Sequence, residues 1–555
     1  MRVDKKIIAL TIILLVAATL RFYRLGAVPT SLNADESAIG YNAFSILKTG
    51  KDEYGRKFPL LFQSFDDFKM PVYVYLTVPG IAMFGLNDFS VRLPSAVLGT
   101  LTVYITYLLV DSLFASASLG LIASFILAIS PWHLQFSRSA YEANIAVFFN
   151  VLGIMLLIKA LKKSVLYIPA FLALALSVWS YHSSRVFVPM IVVGFFIIYY
   201  REIIQQKKYF IIGLLLFVLL CLPLFKLSLS PEGLVRARGV SALGDVGPLN
   251  RTISWRQTDE RLGIPLSAIF HNRRLADVST ILKGYLSHFD PNFFFSEIIQ
   301  GKFHAPGVGL MYLWELPVLL YGLHIAAGMK GKGKYILFLW FLLAPVAASP
   351  TRNLPHPVRT LEFLPTLQIF VAIGLRELFT RSGFTKKIYR QMVINAGVGI
   401  ILLSSLYYLH QYYVHGPVDY ASDWQYGYAQ IVKTVKTMKR NFSKVIVSTS
   451  LDVPYIFFLY YLRYDPATYL SEGGTRSGKF DEQKNAFDVY DFHSYMTSGN
   501  IAKPNILYVG TPKDVLPGME RLVEIKDPSG EVLYTIYGTI SKLDWNKAGN
   551  LPYLD

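Results

Sequence analysis

The chain has 555 residues, of which 53% are hydrophobic and 15% aromatic while only 16% are charged, against about 25% in a soluble domain. That balance excludes a water-soluble globule. Fifty-four Lys and Arg against 37 Asp and Glu leave a net charge of +17, and the single cysteine, Cys221, excludes an intramolecular disulfide and makes structural zinc implausible.

Apolar runs of helix-spanning length lie near 7–22, 93–112, 117–132, 145–158, 165–181, 186–200, 209–225, 309–328, 335–349, 360–375 and 391–413. They predict a mostly α chain, a polytopic membrane helix bundle of about 11 spans. A weaker run at 71–86, interrupted by Pro79, Gly80 and Gly85, either crosses or lies at the interface. Basic linkers favour the interfacial choice. With the N-terminus inside, Lys159/Lys162/Lys163, Arg201/Lys207/Lys208, Lys330/Lys332/Lys334 and the linker from Arg376 to Arg390 then all fall on the cytoplasmic side. The positive charge is thus scattered over linkers and not gathered on one surface, which argues against a nucleic-acid partner. No small-x-small cleavage site precedes Arg21-Phe-Tyr-Arg24, so the first run reads as a retained helix.

Residues 1–413 are therefore expected to form a transmembrane domain with long outer loops at 23–90 and 226–308. Residues 414–555 change composition and predict a small α/β extracytoplasmic domain, its C-terminus outside. Its elements are a helix at Tyr428–Met438, strands at Lys444–Ser448, Ile506–Gly510 and Glu531–Tyr537, and an apolar stretch at Val453–Leu462.

Five polar groups fall on the expected outer side. Asp35 and Glu36 open a run with apolar residues at Ala38, Ile39, Ala43, Phe44, Ile46 and Leu47, read as an amphipathic helix at the membrane surface. Asp35 is placed either as a helix N-cap, with Glu36 favoured by the helix dipole, or as a base beside a lipid-linked substrate. Asp66-Asp67-Phe-Lys69 supplies an interfacial anchor or a phosphate ligand in Lys69. Ser130 to Asn144 carries Trp132, His133, Arg138, Tyr141 and Glu142, with Arg138 and Glu142 spaced as a helix pair. Tyr181-His182-Ser-Ser-Arg185 interrupts two apolar runs. Finally, His356 and Arg359 open a span whose N-terminus is either an anion site or flanked by a snorkelling arginine.

No P-loop, Rossmann glycine pattern, metal-spaced His/Cys cluster or nucleophile elbow is present. The order of motifs resembles the polytopic C-type-fold glycosyltransferases: bacterial and archaeal relatives of the dolichyl-phosphate-mannose protein mannosyltransferases and of the lipid A aminoarabinose transferases. The resemblance rests on Arg21-x-x-Arg-Leu-x-x-x-Pro29 leading to Asp35-Glu36 and on Lys69-x-Pro71-x-Tyr-x-Tyr-Leu. It continues through Phe84-Gly-Leu, Arg92-Leu-Pro-Ser-Ala-x-Leu-Gly-Thr100, Ser130-Pro, Ser137-Arg138 and His356-x-x-Arg359 with Leu364-Pro365.

The resemblance implies transfer of a sugar from a polyprenyl-phosphate donor to a protein, lipid or glycan acceptor at the outer face of the cell membrane. Asp35 would be the general base with Glu36 beside it. Lys69, Arg138, His356 and Arg359 would hold the donor phosphate, and Glu142, Tyr181, His182 and Arg185 would meet substrate. Family members usually carry an Asp shortly after the Ser-Arg of the second outer loop, where this chain has Glu142. The Pro-Asp-Glu of the aminoarabinose branch is Ala34-Asp35-Glu36 here. No cofactor is required, because fixed cations replace a metal, although Asp35, Glu36 and Glu142 are groups of the kind that bind a divalent ion. The rival readings are a lipid-linked-sugar flippase, which requires ionisable groups at mid-membrane, an oligosaccharyltransferase using a pyrophosphate-linked donor, and a non-catalytic scaffold using the outer tail.

Overall fold

The computed structural model describes residues 5–65, 67–230, 233, 239–244, 246–297, 301–381, 387–477, 485–496 and 501–539. Asp66 lies outside them. The chain is mostly helical and divides into two compact units. One comprises residues 1–25, 70–76 and 92–416; the other comprises 26–69, 77–91 and 417–555. Whereas the first outer loop reads in sequence as part of the membrane body, most of it belongs to the same unit as the C-terminal region.

In the first unit every apolar run folds wholly or partly as helix. Six helices among the described residues are long and apolar enough to cross a membrane, or seven if the pair Ala117–Ile129 and Pro131–Ser137, bent by 61°, is one span. Several of the eleven runs form shorter helices: Tyr167–Val178, Glu315–Gly328 and Gly333–Leu343. Lys207–Ser228 exposes Leu215, Leu219, Leu222 and Phe225, the composition of a helix that meets hydrocarbon, where only a closed hydrogen-bonded backbone is tolerated.

Buried arginines tie these helices together. Arg21, at the end of helix Lys5–Phe22, donates to the carbonyls of Ala17 and Ala128 at 3.0 and 3.2 Å and lies 2.7 Å from His133 Nδ1. Arg92 donates to the Leu25 carbonyl at 3.2 Å. Gly99 lets helix Asp88–Phe114 approach helix Pro131–Ser137 closely: a Cβ there would stand 2.6 Å from Ser137 Cβ.

The second unit holds a hairpin, β1 (Phe62–Ser64) against β2 (Asp67–Lys69), and a six-stranded mixed sheet. The sheet comprises β3 (Lys444–Val447), β4 (Ala486–Phe487), β5 (Tyr490–Phe492), β6 (Ile506–Gly510), β7 (Glu520–Lys526) and β8 (Val532–Gly538), in the order β4-β5-β3-β6-β8-β7. β3 runs parallel to β5 and β6, while β8 pairs antiparallel with β6 and β7. Helices Tyr428–Met438 and Pro454–Leu462 pack together, with the Tyr428 and Phe457 rings stacked at 3.8 Å.

Helix Ala34–Thr49 packs against Pro454–Leu462 and Pro466–Ser471. It is not the surface-lying helix the sequence suggests: Ala38, Ile39, Gly40, Tyr41, Asn42, Ala43, Ser45 and Ile46 are all buried. A Cβ at Gly40 would stand 2.7 Å from Tyr460 and Val91, and on the polar side Ser37, Asn42 and Ser45 are buried as well, so the helix is enclosed by protein.

Candidate active site

The N-terminus of helix Ala34–Thr49 is set by Asn33 and not by Asp35. Asn33 Oδ1 accepts from the Glu36 amide at 2.9 Å and Glu36 Oε2 accepts from the Asn33 amide at 3.3 Å, a reciprocal capping box. Glu36 is thereby buried, 1% exposed, and engaged in capping the start of the helix. Asp35 is left at the first turn with its side chain 60% exposed. Its Oδ1 lies 2.9 Å from Lys69 Nζ. Lys69 lies at the open end of the β1–β2 hairpin opposite Phe62, and its side chain is only 8% exposed. Strand pairing therefore delivers a buried ammonium to an accessible carboxylate and brings two of the expected site residues together.

The helix that carries Asp35 has a second anchor that sequence reasoning missed. Asn42 Nδ2 donates to Glu53 Oε1 at 2.9 Å, and the Glu53 amide donates to Asn42 Oδ1 at 3.0 Å. Thr475 Oγ1 donates to Glu53 Oε2 at 2.7 Å. Burial pushes the Glu53 carboxyl up to about 7, against the bonds from Thr475 and Asn42, which pull it down; Asp52 adds to the rise. No spacing rule singles out this residue, because its partners lie 11 and 422 positions away.

In the other unit Arg138, 1% exposed, clamps the end of the first helix. Its Nη1 donates to the Leu20 and Arg21 carbonyls at 2.7 and 3.1 Å, Nη2 to Tyr23 at 2.8 Å, and Nε to Tyr412 Oη at 3.0 Å. Satisfying terminal carbonyls is ordinary work for an arginine at a helix C-terminus. Arg138 and Glu142 do not share a helix as their spacing suggests: the first ends Pro131–Ser137 as its C-cap and the second begins Glu142–Ala160, with a turn between.

The segment before residue 361 is irregular. Arg359 Nη1 donates to Thr351 Oγ1 at 2.7 Å and to the Arg352 carbonyl at 2.6 Å. A short 3-10 turn, Leu361–Phe363, follows, and the α-helix starts only at Thr366. Arg359 is thus not in the first turn of a helix as the sequence reading has it, because Pro365 lacks an amide hydrogen and separates the two pieces.

The His356 amide donates to His288 Nε2 at 3.2 Å, while His288 Nδ1 lies 2.7 Å from the Gly284 carbonyl. A carbonyl only accepts, so Nδ1 carries the proton and Nε2 is the acceptor. Burial, opposed by the bond to Gly284 and helped by Arg359, pushes His288 down to about 4 and keeps it neutral. Arg185 donates to Ser228 Oγ and Met70 Sδ at 3.1 and 2.7 Å, and Tyr181 is buried with its ring 6.2 Å from that of His182. Among the described residues no three His, Cys, Asp or Glu gather into a set able to hold a metal ion.

Residues 69–225 match the sequence model of the dolichyl-phosphate-mannose-protein mannosyltransferase family. That segment includes Lys69, Arg138, Glu142, Tyr181, His182 and Arg185, but not Asp35, Glu36, His356 or Arg359. The chain is 34% identical over 95 residues to "Putative mannosyltransferase YkcB" of Bacillus subtilis (strain 168), which covers 17% of this chain and 13% of that protein.

Its fold is that of ArnT from Cupriavidus metallidurans. The apo structure aligns at a TM-score of 0.53 with 11% identity, covering 96% of this chain and 97% of ArnT, and ArnT bound to undecaprenyl phosphate aligns at 0.52. The archaeal oligosaccharyltransferase AglB from Archaeoglobus fulgidus aligns at 0.49, and the chain spans 63% of its length.

Proposed function

We propose that this chain, similar over residues 69–225 to the dolichyl-phosphate-mannose protein mannosyltransferases and built on the ArnT fold, is a membrane glycosyltransferase. It takes a sugar from a polyprenyl-phosphate donor and passes it, with inversion, to a protein, lipid or glycan acceptor at the outer face of the cell membrane. The observation that carries this reading is the Asp35–Lys69 pair: an exposed carboxylate beside a buried ammonium at 2.9 Å, on a helix start locked by Asn33 and Glu36. Support for the donor class comes from the fold neighbour ArnT, crystallised with undecaprenyl phosphate.

In this scheme Asp35 removes the acceptor proton as the hydroxyl attacks the anomeric carbon, a contribution of about 10²–10⁴-fold. Lys69, neutralising the carboxylate in the resting protein, turns to the oxygens of the departing phosphate, and electrostatic stabilisation of that leaving group supplies much of the rest. His356, with Nδ1 accepting from the Val358 amide at 3.3 Å, carries its proton on Nε2. With Arg359 it is assigned to the donor phosphate; Glu142, Tyr181, His182 and Arg185 are assigned to substrate contact. Arg138, whose donors hold the end of the first helix, acts as a positioning residue.

The test is single-turnover transfer from polyprenyl-phosphate mannose by the purified chain in nanodiscs, with product identified by mass spectrometry, for the natural protein and Asp35→Asn. Transfer that falls by about 10² or more in the variant while donor binding persists supports the base assignment. Equal turnover moves the base to Glu36 or Glu142. Translocation of a lipid-linked sugar without transfer would replace the enzyme reading with a transporter.

A further inference from the structure

Residues 246–287 form a helical hairpin, Val246–Arg261 packed against Arg273–Ser287, which leaves many of its large apolar side chains exposed. On the second helix the inward face is settled by contacts. A Cβ at Gly284 would stand 2.7 Å from Leu354, Tyr285 Oη donates to the Leu342 carbonyl at 3.0 Å, and Thr280 and Ile281 are half-buried.

The opposite face carries Leu275, Val278, Leu282 and Leu286, spaced by three, four and four residues, which places them in one stripe. They are 48%, 60%, 53% and 56% exposed. Arg274 and Lys283 flank the stripe on its two sides. Between the helices the tip presents Leu262, Ile264, Leu266, Ile269 and Phe270, all exposed, and the tip is pinned by His271 Nε2 at 3.0 Å from Asp259 Oδ2. Four leucine-class side chains in a row and five more at a braced tip form a larger apolar surface than a soluble face carries without purpose.

We propose that this hairpin is a docking surface for an anionic lipid leaflet: the Leu275–Leu286 stripe and the 262–270 tip lie in the headgroup and upper acyl region, and the flanking cations meet lipid phosphates. Charge selects this occupant over a second protein. The hairpin carries six Arg and Lys against three Asp and Glu, with Arg274 and Lys283 at the borders of the stripe, where long cationic stems reach headgroups while their carbons stay in the apolar layer.

The helix also reaches the irregular segment before residue 361. Gly284 meets Ser349 and Leu354, and His288 accepts from the His356 amide. The lipid surface thereby fixes the depth of His356 and Arg359, a consequence that rests on their assignment to a lipid-borne phosphate.

The experiment reads depth and needs no transfer activity, so its failure is separable from failure of the proposed function. Single cysteines are placed at Leu282 and, as an aqueous control, at Ser529, in a Cys221→Ser background. They carry an environment-sensitive fluorophore, and the full chain is reconstituted in phosphatidylcholine vesicles with or without an equal part of phosphatidylglycerol.

The label at 282 is expected to be quenched by lipids brominated high on the acyl chain and shielded from iodide, with the label at 529 showing the reverse. Phosphatidylglycerol should raise lipid quenching at 282 about twofold, and Arg274→Gln with Lys283→Gln should abolish that increment while leaving the 529 label unchanged. Iodide quenching at 282 equal to that at 529 overturns the proposal, as does shielding from both quenchers with cross-linking of 282 to a second copy. Lipid quenching indifferent to phosphatidylglycerol overturns its anionic part.

Discussion

Replacing Glu53 with Gln tests whether the buried carboxyl behind the Asp35 helix shapes stability. In the folded chain Glu53 is raised from an ordinary 4.5 to about 7 by burial, so between those values the folded state binds a proton that the unfolded state has released. Stability is therefore fully present below pH 4.5 and is lost as pH rises through about 7. A tenfold difference in proton affinity between the folded and unfolded chain is worth about 1.4 kcal/mol, which makes the loss roughly 3 kcal/mol.

Glu53→Gln keeps the pattern of bonds. The amide oxygen accepts from Asn42, and the amide nitrogen donates to Thr475 Oγ1, whose hydroxyl turns to Tyr469 Oη, 2.9 Å away. The variant should match the natural chain at low pH and exceed it above pH 7. For a unit of about 200 residues, 3 kcal/mol corresponds to roughly 6–12 °C in melting temperature. The assay is intrinsic-fluorescence melting of the detergent-solubilised chain across this pH range, comparing the two proteins at each pH so that other titrating groups cancel. A difference between the two proteins that stays constant at every pH refutes the reasoning.

Lys69→Gln should leave the fold intact, since Asp35 is exposed enough to hydrate, yet slow transfer without a matching rise in KM, measured by steady-state turnover; a change confined to KM would make Lys69 a binding anchor. Arg359→Ala should weaken donor binding by more than the ~1 kcal/mol of a surface anchor, with Arg359→Lys recovering part, measured by titration with polyprenyl-phosphate mannose; unchanged binding in both removes Arg359 from the phosphate. Arg138→Lys should lower the melting temperature, because a point charge cannot span the carbonyls of Leu20, Arg21 and Tyr23; lost donor binding at unchanged stability would restore Arg138 as a phosphate ligand. Topology is checked by cysteine labelling in a Cys221-free background: positions after Gly416 should react from outside and positions near Lys332 should not.

What the sequence determined by itself was whatever depends on local pattern. Long apolar runs can fold only as helices in hydrocarbon, and every run from 7–22 to 391–413 is at least partly helical. The helix at Tyr428–Met438 was legible because its periodicity is strong, and the strand at Ile506–Gly510 because it is a short continuous run of apolar and aromatic residues, buried at every position. β7 was not, since Glu520-Arg-Leu-Val-Glu-Ile-Lys526 is an edge strand kept polar, a composition that blunts pairing with other chains and erases the alternation.

Among site residues, Asp35 and Lys69 were legible as chemistry, but their pairing at 2.9 Å required the β1–β2 hairpin to return the chain to the helix start. The tertiary structure alone decided that Asn33 caps that helix, that Glu53 and Thr475 tether it, and that Arg138 is occupied by backbone carbonyls. Each of these depends on which distant groups burial leaves in need of a hydrogen bond, and an unsatisfied buried donor or acceptor costs about 1–3 kcal/mol. That cost is incurred or avoided only in three dimensions, between residues such as 53 and 475 or 138 and 20, and no linear pattern encodes it.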